Sequence, residues 1–253
     1  MRRLAAALAT AALLFGATTR LAAQPPDTPV FQEPPPDLLP HLIENGVESL
    51  VVTPGPVTFK DPFSGGHFPT TVVVSPVGGP PHRLRALGSG GRKKLFWKIY
   101  GAALYADETA YLGPDPLKTL VNEDMARRIV FYFRRNASEE QLTEAFRDGM
   151  SRIWKAELPP DVAPDVAQLL SYFEGGLRKE GRIEFTYLPG KGLYTTVGGL
   201  PKPVIANPEV ARRIWAVWLG EDPVSPGLRK DLIRFLSDEK KAILIRTPEE
   251  TGE

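Results

Sequence analysis

Apolar residues recur along this chain with two different periods, and the stretches governed by each are segregated more than alternated. Residues 71–75, 83–87, 95–106 and 127–133 are rich in aliphatic, β-branched and aromatic side chains and are bounded by Gly or Pro, which predicts strands. The period then lengthens. Ser138 opens a helix, with Gln141 three positions on as a capping box and Leu142, Ala145, Phe146 and Gly149 at helical spacing. Val166, Leu169, Leu170 and Phe173 mark a second, short helix. Alternation returns over 182–188, where Ile183, Phe185 and Tyr187 share a face, and Pro189-Gly190-Lys191-Gly192 turns the chain into a return strand over 193–197. Asn207-Pro208 starts a helix with Val210, Ile214, Val217 and Trp218 inward, ending at Gly220, and Ser225-Pro226 starts another with Leu228, Leu232 and Phe235. The predicted class is α+β, an apolar-faced sheet covered by a layer of helices.

The two ends read differently. Arg2 and Arg3, an apolar stretch from Leu4 to Gly16 and the small residues Ala22 and Ala23 predict a cleavable secretory signal over 1–23, hence a periplasmic or secreted protein. The apolar stretch is shorter than the roughly 20 residues that span a bilayer. Residues 24–47 form a proline-rich linker, with Pro25, Pro26, Pro29, Pro34, Pro35, Pro36 and Pro40 removing amide donors and favouring extended backbone. The folded domain is expected over 48–236 and a charged C-terminal tail over 237–253.

At 253 residues with 42% hydrophobic content, the chain is long enough for a sizeable core. Its 31 basic and 30 acidic side chains leave no net field to attract nucleic acid. There is no cysteine, and His41, His67 and His82 lie far apart, so neither thiolate chemistry nor a metal site is expected, and no cofactor is implied. The segment Gly88-Ser89-Gly90-Gly91-Arg92-Lys93 is glycine-rich, but no Ser or Thr follows the lysine and a strand follows the turn, which argues against a phosphate loop. Its sharper reading is a turn that brings Arg92 to the mouth of a long apolar strand carrying Tyr100. A guanidinium beside apolar surface is costly without a partner, and an amphiphilic anion would supply one. Lys93 and Lys94 read as solvated edge charges. Trp97, Trp154, Trp215 and Trp218 read as core fillers.

Four segments, LGSGGRKKLFWKIYGAALYAD, RIVFYFRRNASEEQLTEAFRDGM, GRIEFTYLPGKGLYTTVGG and NPEVARRIWAVWLGEDPVSPGLRKDLI, together resemble the chalcone isomerase-like family over about residues 68–235, most closely its exported bacterial branch. The resemblance implies an open-faced β-sandwich: a large antiparallel sheet with helices on one face and an apolar pocket between them. It also implies that Arg92 matches the arginine that holds a phenolate in plant isomerases and a carboxylate in fatty-acid-binding relatives. Tyr100 falls where true isomerases have threonine and the fatty-acid-binding branch has tyrosine. The isomerases' tyrosine and asparagine around the first long helix correspond here to Glu140 and Arg147, so no catalytic residue is assigned.

Arg92 and Tyr100 are eight residues apart, and a straight strand would separate their α-carbons by about 26 Å, too far to grip one carboxylate. A hairpin or bulge around 92–95 is therefore inferred. Three functions follow from this reading. The first is non-catalytic binding of a small amphipathic ligand, a fatty acid above all. The second is intramolecular lyase (isomerase) action on a chalcone-like unsaturated ketone, and the third is an envelope interaction module.

Overall fold

The computed structural model describes residues 47–237 apart from 49, 95 and 156; the expected signal segment, nearly all of the proline-rich linker and all but the first residue of the tail lie outside them. Ten strands form two sheets. The large sheet has eight antiparallel strands in the order β1-β4-β5-β6-β7-β8-β9-β10, and β2 (Thr58–Lys60) pairs with β3 (His67–Pro69) as a separate ribbon. The large sheet comprises β1 (Leu50–Pro54), β4 (Thr71–Pro76), β5 (His82–Lys94), β6 (Trp97–Asp107), β7 (Arg127–Phe133), β8 (Arg182–Leu188), β9 (Gly192–Val197) and β10 (Leu200–Ile205).

One face of this sheet carries the helices α1 (Pro116–Asn122), α2 (Glu139–Ile153), α3 (Ala163–Ser171), α4 (Pro208–Arg213), α5 (Ala216–Leu219) and α6 (Pro226–Asp231). Alternation along the strands produces two cores. Ala102, Leu104, Ile129, Phe131, Ile183 and Phe185 join the helical layer, whereas Ala103, Tyr105, Val130 and Tyr132 pack with Phe68 and the ribbon on the opposite face. Each large apolar side chain so buried contributes about 1.5–3 kcal/mol. The helix starts follow from their caps. Ser138 Oγ accepts from the Gln141 amide at 3.3 Å and the Gln141 side chain answers at 3.1 Å, a complete capping box; Asn207 and Ser225 cap α4 and α6 ahead of prolines.

The glycine-rich segment is not a turn. Residues 88–91 lie within β5, and the chain reverses only after Lys94, so that β5 and β6 form one long hairpin. The glycines serve contact. A Cβ on Gly88 would lie 2.3 Å from the carbonyl oxygen of Asp231, and one on Gly90 2.3 Å from the Cβ of Asp231. β4 pairs with β5 only over His82 to Arg85, and beyond it the end of α6 packs on the glycines of β5 with the 3₁₀ turn Arg234–Ser237 beside it. Arg234 reaches Ser89 Oγ at 3.3 Å, and Phe235 meets Phe59 edge to face at 5.2 Å.

Candidate ligand-binding site

The strand period decides what can meet at the site. On β5, Arg92 shares its face with Gly90 and Gly88; on β6, Tyr100 shares its face with Ala102 and Leu104, toward the helices. The hairpin sets Arg92 directly opposite Tyr100 in register. The inferred bend is therefore a true reversal, with a register shift between Arg92 and Lys93, and the 26 Å separation along one strand does not arise.

Tyr100 is buried, and that burial raises its pKa, an effect that Arg92 partly opposes, so the phenol is neutral near pH 7. The Arg92 guanidinium and the Trp218 indole lie near its hydroxyl and favour its charged form, against the effect of burial. Among the described residues no carboxylate lies within ion-pair distance of Arg92.

This pair borders a cavity of about 760 Å³ between the sheet and α2. Its walls are largely apolar, built from Ile99, Phe131, Phe133, Leu142, Phe146 and Trp218. The rings interlock: Phe131 and Trp218 are 5.0 Å apart, Phe146 and Phe185 5.6 Å, and Phe185 and Trp218 5.7 Å. Polar groups gather at the rim. Trp97 lies under the Arg135 guanidinium, 3.7 Å from the ring centre, and Asn136 accepts from the Lys179 amide. From α2, the exposed Glu144 and Asp148 also line the cavity, the latter paired with Arg152. The volume, the apolar walls and the polar rim suit a small amphiphile.

Several sequence-based expectations change here. Trp97 and Trp218 line the cavity, and only Trp154 and Trp215 are pure core residues. Glu140 and Arg147, matched to the isomerases' polar pair, are exposed and do not line the cavity; Gln141, Leu142, Glu144 and Ala145 present that side of α2. Arg135, Asn136 and Glu144 were not anticipated, because nothing local separates a rim residue from any other polar residue at a strand or helix end. Among the described residues no cluster of His, Asp and Glu could hold a metal ion.

Behind the pair, on the opposite face of the hairpin, the bare backbones of Gly91 and Gly101 are cross-strand partners. The turn between β2 and β3 packs onto them. Phe63 covers Gly91, and Ser64 and Asp61 cover Gly101, where an added Cβ would lie 2.3 Å from Ser64 Oγ. The buried Asp61 carboxylate organises this turn: it accepts from the Ser64 amide and hydroxyl at 2.6 Å each and from Ser89 Oγ at 3.0 Å. The Asp-Pro-Phe-Ser-Gly-Gly sequence carries the signal of such a turn, although not of its place behind the arginine.

None of the curated proteins matches the chain in sequence. Among solved structures it is similar to the fatty-acid binding protein AtFAP1 of Arabidopsis thaliana, with a TM-score of 0.58 and 20% identity over 75% of this chain and 99% of that one. The likeness is one of fold: a large antiparallel sheet with a helical layer. The family model described as chalcone isomerase-like matches residues 63–233, a span that runs from within the ribbon turn through the Arg92–Tyr100 hairpin and the helical wall to the end of α6, and the chain belongs to that family.

Proposed function

We propose that this protein binds an amphipathic carboxylate, a fatty acid in the first instance, as a carrier or sensor that does not transform it. The observation that carries the reading is the Arg92–Tyr100 pair: an arginine with no carboxylate partner among the described residues, opposite a buried neutral phenol, at the edge of an apolar cavity. A carboxylate there would take charge-assisted hydrogen bonds worth about 1.5–3 kcal/mol each. Its tail would gain about 0.8 kcal/mol per methylene buried against Phe131, Phe146 and Trp218, so the tail dominates affinity and the polar pair sets orientation. The fatty-acid-binding name of the similar Arabidopsis protein supports the same ligand class. We place this activity outside the cytoplasm, on the strength of the charged start and apolar stretch within residues 1–23.

The test is direct. Lipid carried through purification is identified by native mass spectrometry, and palmitate binding is titrated for the wild type and Arg92→Ala. Bound fatty acid in the wild type and its loss in the variant are expected. Equal occupancy in both would remove Arg92 from the site, and wild-type acceleration of chalcone cyclisation would replace the binder with a lyase.

A further inference from the structure

The tip of the β5–β6 hairpin has a composition that the cavity does not explain. Phe96 is 95% exposed and Trp97, next to it, 56%. Scattered apolar residues on a surface are ordinary, but two adjacent large aromatics at the end of a projecting hairpin form a deliberate apolar point. Cations flank it along the two strands. Lys93 and Lys98 are exposed cross-strand partners, their ammonium groups 5.7 and 5.0 Å from the Phe63 ring centre and that of Lys98 donating to the Phe63 carbonyl at 2.5 Å, and Arg135 is stacked on Trp97. Among the described residues none of the three has a carboxylate within ion-pair distance. The acidic groups nearest in function, Glu144 and Asp148, belong to the α2 wall of the cavity. The near-zero net charge of the whole chain conceals this local excess.

We propose that this tip docks on the surface of an anionic phospholipid bilayer, with Phe96 inserted at the headgroup and acyl boundary and Lys93, Lys98 and Arg135 meeting the lipid phosphates. An aromatic ring with apolar body is favoured at that boundary, and each nearby lysine or arginine adds attraction to an anionic surface. Among the described residues no helix is long and apolar enough to cross a membrane. Trp97 belongs both to the tip and to the cavity rim, so a docked molecule would present the cavity mouth to the lipid. As a route for fatty acid this rests on the function proposed above; docking itself does not.

The experiment uses the whole folded protein and sedimentable vesicles of phosphatidylcholine alone or mixed in equal parts with phosphatidylglycerol. The wild type is expected to sediment with the anionic vesicles and far less with the neutral ones. Phe96→Ser and Lys93→Glu should each weaken that partitioning about tenfold or more, while palmitate binding in vesicle-free solution stays at the wild-type level. Failure of the wild type to sediment with anionic vesicles, or sedimentation of both variants like wild type, would overturn the proposal. So would a wild-type dimer that Phe96→Ser dissociates, since the tip would then cover a second copy. Loss of palmitate binding everywhere with docking intact would instead refute the carboxylate reading.

Discussion

Arg92 and Tyr100 face each other across one hairpin, on adjacent strands, and their side chains meet at a cavity edge that neither could define alone. Each variant should therefore depend on the other. Arg92→Ala is expected to cost about 1.5–3 kcal/mol of palmitate affinity and Tyr100→Phe about 1 kcal/mol. The double variant should lose less than the sum, because the two are cross-strand neighbours and the guanidinium acts on the phenol. Calorimetric titration of the four proteins checks this; strict additivity would mean that the two groups act on different parts of the ligand.

Gly101 points away from the cavity, yet substitution there should be felt in it. Gly101→Ala places a methyl 2.3 Å from Ser64 Oγ, which forces the Asp61 turn off the back of the hairpin. A stability loss of about 1–3 kcal/mol is expected. Palmitate affinity should fall with it. Denaturant unfolding and titration of the same variant separate the two, and unchanged affinity would show that the hairpin holds its shape without the turn.

Two neighbouring arginines of β7 should respond to very different degrees. Arg128 is buried with its guanidinium 2.6 Å from Glu184 and 2.6 Å from Thr186 Oγ, so Arg128→Met leaves a largely buried carboxylate unpaired and should cost about 3–5 kcal/mol. Arg127 has no such partner. It lies between the Tyr187 and Trp215 rings and donates to the Glu123 carbonyl, two of its other nitrogens have no hydrogen bond, and burial draws its pKa down to about 10. Arg127→Met should change stability by only about 1 kcal/mol in either direction. Chemical denaturation of both variants decides.

Alkali should unfold the protein through its tyrosines. Burial, first among the causes, pushes Tyr172 and Tyr187 up to about 12 from the usual 10, and it raises Tyr100 as well. These groups are neutral in the fold at pH values where the unfolded chain would lose the proton, so their contribution is intact below pH 10 and is lost as pH rises through about 12. Unfolding free energy measured upward from pH 10 should fall, and more gently in Tyr172→Phe. A slope indifferent to that substitution would assign the loss to other groups.

Long periodic segments were the most legible in the sequence. The strands over 127–133 and 182–188 and the capped helix after Ser138 stand where the pattern places them, because each buries its own apolar face. β10 was missed since Pro201 and Pro203 read against a strand, a penalty that matters less on the sheet edge where β10 lies. The helix expected from Asn207 to Gly220 is broken at Ile214 and Trp215 into α4 and α5. The larger misreading was the glycine stretch. Glycine has no side chain to carry a period, and what Gly88 and Gly90 accommodate is contributed by Asp231 and Leu232, far along the chain. The pairing of Arg92 with Tyr100 needed only the strand period and a demand that the two reach one ligand. The rim and the Asp61 turn depend on contacts between distant segments, for which local spacing holds no record.

The bare half of β5 has a final implication. Among the described residues its amides and carbonyls beyond Ala86 have no strand neighbour on the outer side, and the α6 end and the 3₁₀ turn pack against this stretch. A chain ending at Lys230 would uncover a ready template for strand addition from another molecule. Such a truncated protein should self-associate in proportion to its concentration, making the last turn of the fold its guard against polymerisation.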